Sequence, residues 1–357
     1  MVGGAILMLL LHVLTGSDKR QMSSSSASIN IAPTTENGTF VKPGSHFKDF
    51  IRRGGEFPPD NDRYHLYVSY ACPWAHRALI VRKMKGLEDI IPITSVHWHM
   101  GEKGWRFVTP DDKDAPGDAV QQDPVNGHQL YTHLREIYTE NNPGYDGRVS
   151  VPILYDTKQG RIVSGESIDI MRMFYTEFDD LLDEPQRALD LYPASLRERI
   201  DEADEWIQSD INGGVYKAGF ATTQEAYASA VVKLFQSLDD VEHHLGSSDG
   251  PYYFGKDVTE TDIRLYTTMI RFDVVYVQHF KTNLRDIRSG YPHIHKWLRH
   301  LYWNIPAFKD TVNFLHIKNH YTKSHPYVNP LGITPLGPDI PIMKEDEEVR
   351  AVSFAEK

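Results

Sequence analysis

The chain has 357 residues and a single cysteine, Cys72, so any redox chemistry of sulfur is confined to one position. Cys72 follows the strand-like run YHLYVSY (residues 64–70) and opens the helix-like run CPWAHRALIVRKMKGL. A thiol at a helix start points at unsatisfied backbone N–H groups and at the positive end of the helix dipole, and both favour thiolate over thiol. Pro73 suits the first helical turn because its missing N–H is not needed there and its ring fixes φ. Ala75 occupies the place of the second thiol of a C-x-x-C motif. A mixed disulfide formed at Cys72 must therefore be resolved by a thiol from outside the chain. The competing reading, a small buried hydrophobe, is the commoner fate of a free cysteine. The strand–Cys–Pro–helix setting argues against it. His76 and Arg77 lie in the first turns, where a cation would help a thiolate, but packing or hydrogen bonding suits them equally and neither is assigned a role.

Two further constellations could face a ligand, or could be an ordinary edge-strand proline and a plain helix cap. Val151-Pro152 opens an apolar run, SVPILY; a proline there cannot donate to a sheet, and the preceding residue's backbone is left free for a ligand. Ser164-Gly165-Glu166-Ser167 precedes a helix, so Glu166, Ser167 and helix-terminal N–H groups bring a carboxylate, a hydroxyl and donors together. Such a set can hold an α-amino and an α-carboxylate group, or simply cap the helix. His97 and His99 share one face of an extended segment, but no third ligand is placed by spacing, and no metal is expected.

These residues need elements to position them. A strand at residues 64–70, a helix from Cys72 to Gly86, a strand within IIPITSVHWHM, a helix at THLREIYTEN, a hairpin from SVPILY and RIVS around DTKQG, and a helix from SGESIDIMRMFYTEF give the order βαβα then ββα. That order describes an α/β thioredoxin-like domain over residues 46–178. A linker at 179–193 carries Pro185 and Pro193. An all-α domain follows over 194–320, with Leu196, Ile200, Ala203, Ile207 and Ile211 on one face and Val231, Leu234, Leu238, Val241 and Leu245 on another. Within it Thr259 to Asp262 has the spacing of a capping box. Residues 321–357 read as an extended C-terminal arm and tail, and residues 1–45 as a disordered leader, with order starting near Phe47.

A formal net charge of -11 disfavours a phosphate-backbone partner and leaves small molecules as the expected ligands. A lone cysteine needs no oxidising compartment, which points to the cytoplasm. The apolar run AILMLLLHVL at residues 5–14 is too short to span a bilayer but has the length of a signal-peptide core, roughly 7–15 residues, so mitochondrial or other targeting through residues 1–21 is the alternative.

Taken in this order, the motifs resemble the glutathione transferase family over most of residues 47–340. The finer resemblance is to the glutathionyl-hydroquinone reductases, the Xi class. It rests on CPWAHR (72–77), HWHMGEKGWRF (97–107), GVYKAGFA (214–221), RFDVVYVQHFKTN (271–283) and NPLGITPLGP (329–338). The resemblance implies that Cys72 is the nucleophile, that glutathione is the co-substrate, and that Trp105, Val151, Glu166 and Ser167 bind it. It also implies that Tyr216 and Tyr321 act at the electrophile, with Tyr276 lining its pocket, and that the protein is a homodimer. The implied reaction is glutathione-dependent reductive deglutathionylation of glutathionyl-hydroquinones through a Cys72 mixed disulfide. An omega-like thiol transferase or dehydroascorbate reductase would use the same cysteine, and a non-catalytic quinone- or ligand-binding protein would keep only the pocket.

Overall fold

The computed structural model describes residues 33–41, 44–108, 112, 125, 128, 131–339 and 341–344. Strand β1 (Tyr64–Val68) is buried on both faces, which suits its β-branched and aromatic sequence and a place inside the sheet. It pairs in parallel with β2 (Ile93–Ser95). A parallel pair requires a crossover, here helix α1 (Pro73–Met84), which ends at Lys85 with Gly86 in the left-handed region at φ 65°. On its other side β1 pairs antiparallel with β5 (Ile153–Asp156), which continues into β6 (Arg161–Ser164). The strand order β2-β1-β5-β6 is that of a thioredoxin-like sheet. The Asp156 carboxylate closes the β5–β6 turn, accepting from the backbone N–H of Lys158 and Gln159 and from the buried Arg63 guanidinium.

The strand expected within IIPITSVHWHM is β2. β2 stops at Ser95, and a separate two-stranded ribbon, β3 (Met100–Gly101) and β4 (Gly104–Trp105), follows. Gly104, at φ 86°, makes that turn, a geometry that alternating hydrophobicity does not reveal. Helices α2 (Arg135–Asn141) and α3 (Ser167–Thr176) complete this region.

Order begins earlier than Phe47. Thr34 bridges to Phe40, and Phe40 is buried with its ring edge-on to Phe220 at 5.3 Å. Thr222 N–H donates to the Gly38 carbonyl, and residues 47–49 run antiparallel beside β6 through Lys48 and Ser164. One large aromatic side chain covering apolar surface outweighs the polar composition around it. Residues 1–21 and their apolar run lie outside the described residues.

The remainder is helical: α4 (Arg197–Trp206), α5 (Gly214–Gly219), α6 (Gln224–Ser247), α7 (Glu260–Arg271), α8 (Val277–His279), α9 (Ile287–Gly290), α10 (Pro292–Asn304), α11 (Pro306–Asp310) and α12 (Phe314–Lys323). Two π-helical turns, Ile207–Asn212 and Phe272–Tyr276, extend α4 and α7. Helix α12 runs past His320, so Tyr321 stands on a helix and not on the arm. Beyond it the chain is irregular and is tied back by Asn329 Nδ2 to the Thr322 carbonyl and by Lys318 Nζ to the Leu336 carbonyl. Among the described residues no helix is long and apolar enough to cross a membrane.

Helix α7 is buried along its whole length and packs against α1. Its expected capping box is present, and the buried Asp262 carboxylate does more than cap. It accepts from Thr259 N–H at 2.9 Å, Tyr253 N–H at 2.8 Å and Trp297 Nε1 at 2.9 Å, joining α7, α10 and the loop between α6 and α7. Asp262→Ala strands several buried donors and is expected to cost about 3 kcal/mol or more in urea unfolding; a loss below about 1 kcal/mol would show that solvent takes over those donors.

Candidate active site

Cys72 is the N-cap residue of α1, with extended backbone at φ -77° and ψ 121°. Its N–H donates to the Ser69 carbonyl and its carbonyl accepts from His76 N–H, each at 3.0 Å, so the turn is closed on both sides of the thiol. The side chain is partly exposed, unlike a packing cysteine. Its Sγ lies 3.4 Å from the Val151 carbonyl oxygen, to which the thiol donates. The Val151–Pro152 bond is cis. Sequence-distant residues 72 and 151 are neighbours because β1 and β5 are adjacent strands.

The three tyrosines singled out in sequence come together from three elements: Tyr216 on α5, Tyr276 in the π-helical turn after α7, and Tyr321 on α12. The Tyr321 hydroxyl is hydrogen-bonded to that of Tyr216 and lies 3.1 Å from that of Tyr276. The ring of Trp74, two residues after the thiol, lies 4.9 Å from that of Tyr216. Burial pushes all three phenols above their usual value. The hydroxyls are therefore protonated at neutral pH and able to donate.

Trp105, on β4, stacks on His320 of α12 with ring centroids 4.8 Å apart, and His320 adjoins Tyr321. His320 Nδ1 meets the Trp98 carbonyl at 2.8 Å, which ties the β2–β3 connection to the tyrosine helix. Pairing of Leu154 with Ser164 sets residues 165–167 beside the strand that begins after Pro152. Glu166 is the N-cap residue of α3, yet its side chain does not cap the helix. One carboxylate oxygen accepts from Ser45 N–H at 2.6 Å, a contact that sequence reasoning missed. Ser167 is buried in the first turn.

His76 and Arg77 do not face the thiol as solvent-exposed cations. His76 is buried, with Nε2 at 2.9 Å from Thr311 Oγ1 and Nδ1 at 3.0 Å from Arg271. Burial and the Arg271 charge push it well below its usual value, so it is neutral. Arg77 donates to Gln208 Oε1 and Asn212 Oδ1. His97 Nδ1 accepts from His99 N–H. Among the described residues no group of three or more His, Cys, Asp or Glu side chains is arranged to hold a metal ion. Arg271, Trp74 and His320 were not singled out from sequence. A charged residue inside the apolar run IRLYTTMIRFDVV was the available signal for Arg271.

Comparison with known proteins bears on what such a site does. Residues 71–177 match the family described as glutathione S-transferase, N-terminal domain, and residues 224–300 match glutathione S-transferase, C-terminal domain. Glutathione S-transferase omega-like 2 of Schizosaccharomyces pombe is 51% identical over 85% of this chain and 95% of its own length. Glutathionyl-hydroquinone reductase YqjG of Escherichia coli is 46% identical over 84% of this chain and 89% of its own. The crystal structure of the Xi glutathione transferase ECM4 from Saccharomyces cerevisiae in complex with glutathione superposes with a TM-score of 0.80 at 41% identity, covering 87% of this chain and 100% of that one.

The histidines around the tyrosines set an acid limit. Burial pushes His279 and His320 from the usual 6.5 down to about 4, so the native state holds them neutral. Between those two values the unfolded chain binds more protons than the native one, and stability falls as pH falls. The urea midpoint should drop between pH 6.5 and 4.5, and His320→Gln should make that drop shallower. Parallel pH curves for the two proteins would mean that His320 is already charged in the native state.

Proposed function

The chain belongs to the glutathione transferase family, among the Xi-class glutathionyl-hydroquinone reductases, and on that premise we propose that it removes glutathione from glutathionyl-hydroquinones through Cys72. The observation that carries this reading is the cluster of protonated tyrosine hydroxyls beside a partly exposed thiol. Cys72 thiolate attacks the thioether sulfur of the conjugate. The sulfur–aryl carbon bond breaks, and its electron pair goes to the ring carbon, which takes a proton from the tyrosine cluster. The products are a Cys72–glutathione disulfide and the free hydroquinone. Glutathione, as thiolate, then attacks the glutathione sulfur of that disulfide, releasing glutathione disulfide and Cys72 thiolate, and the tyrosine cluster regains its proton from solvent. The two sulfurs that end in glutathione disulfide supply the electrons that reduce the carbon.

In this reading the Val151 backbone beside Sγ holds the cysteinyl part of glutathione. Glu166 and Ser167 at the start of α3 take its α-amino and α-carboxylate groups, and Trp105 covers it. Tyr216 and Tyr321 deliver the proton and Tyr276 lines the aryl pocket. We further infer a homodimer acting in the cytoplasm: Leu331, Ile333 and Leu336 expose 80%, 63% and 95% of their surface, apolar area that a second copy would cover. An omega-like thiol transferase would need the thiol and the glutathione site but no proton donor to carbon, which is the feature the tyrosine cluster adds. A non-catalytic carrier would need neither.

Incubation with glutathionyl-menadione should leave a glutathione adduct on Cys72, read by mass spectrometry, and Cys72→Ser should abolish turnover. Substantial turnover by Cys72→Ser sinks the scheme. Tyr321→Phe and Tyr216→Phe should lower kcat on glutathionyl-menadione by about a hundredfold or more, the usual worth of a positioned proton donor. Both variants should still exchange with a glutathionylated peptide disulfide. Equal losses on both substrates would favour a thiol transferase.

A further inference from the structure

Arg271 closes α7 and is fully buried. Its guanidinium spends its donors on neutral acceptors: Nε on the Ala71 carbonyl at 3.0 Å, Nη2 on the Tyr70 carbonyl at 3.0 Å, and Nη1 on the Thr267 carbonyl at 2.8 Å and on His76 Nδ1 at 3.0 Å. Among the described residues no carboxylate pairs with it. A buried cation without a counter-charge costs several kcal/mol. The other buried guanidinium of α7 is compensated, since Arg264 contacts both Asp204 and Glu260. The carbonyl that Arg271 Nε grips belongs to the residue directly before Cys72.

We propose that Arg271 is a positioning residue that fixes the Tyr70–Ala71–Cys72 turn from the helical domain and supplies the buried positive charge balancing the Cys72 thiolate. The inference rests on the reading of Cys72 as the nucleophile. The charged and titratable groups around the thiol are His76 and Arg77 on α1, Tyr216 on α5, Arg271 on α7, Tyr276 in the turn after it, and Tyr321 on α12. The phenols are protonated and His76 is neutral; Arg77 is held by the neutral side chains of Gln208 and Asn212, with Arg264, Asp204, Glu260 and Cys72 among its neighbouring charges, and Arg271 is the buried cation that bonds directly to the thiol turn. Its field also reaches Tyr276 and Tyr321, where it pulls against the upward push of burial.

Capture of Cys72 by iodoacetamide reads the thiolate directly and needs no reductase activity, so its outcome stands apart from that of the glutathionyl-menadione experiment. In Arg271→Gln the rate at pH 7 should fall about tenfold or more and recover as pH is raised, the response of a thiolate that has lost an opposite charge. Arg271→Lys, which keeps the charge, should lose less at pH 7. A loss in Arg271→Gln that is uniform across pH, or no loss, overturns the proposal. The wild-type protein provides a measurement that does not depend on folding of a variant. Anionic iodoacetate should gain on neutral iodoacetamide by about tenfold at Cys72 relative to the same ratio for free glutathione, reflecting a net positive field at the sulfur. A ratio no greater than that of glutathione would count against a balancing cation.

Discussion

The geometry around Cys72 depends on one buried cation gripping the turn that carries it. Arg271 belongs to a helix some two hundred residues further along the chain, yet it holds the two carbonyls that precede the thiol and the imidazole one turn after it. His76 passes the restraint on to Thr311, whose hydroxyl is anchored to the Ala307 carbonyl in α11. The strand-to-helix turn is thus fixed by the β-sheet on one side and by α7 and α11 on the other. Because these groups are buried apart from the half-buried Tyr70, water has little access to the contacts and the turn keeps one shape.

The same burial determines what the aromatic wall can do. Tyr216, Tyr276 and Tyr321 are removed from water, their phenols are pushed up, and each remains a donor at neutral pH. The hydroxyls bond to one another, so the cluster satisfies itself without a charged partner. The histidines next to it, His279, His320 and His325, are neutral for the same reason. The result is a site in which a buried guanidinium grips the thiol turn while the opposite wall is neutral and rich in protons. That polarity suits a sulfur nucleophile facing an aromatic leaving group.

Much of this was legible along the chain. Local signals marked the strand, the proline-led helix start and Cys72 at their junction, because a strand pattern, a missing N–H and a cap position are properties of a few neighbouring residues. The Thr259–Asp262 box was visible for the same reason, although its bonds to Tyr253 and Trp297 were not. The β3–β4 ribbon was missed because two-residue strands leave no periodicity. The packing of Phe40 on Phe220 was missed because composition averages over a segment, whereas one ring decides whether it is held.

The linear chain carries the chemistry on offer: one thiol, no resolving partner, a proline before a strand, a Glu-Ser pair before a helix, and tyrosines in three separated motifs. Tertiary structure alone decided which of these meet and in what state. It brought Val151 to the sulfur, gathered three hydroxyls from three helices, and gave Glu166 to Ser45 instead of to its own helix. It also turned His76 from a cation into a neutral link between Arg271 and Thr311. The physical reason is that charge state and hydrogen-bond partner depend on burial and on neighbours far away in the chain, and neither is written in local spacing.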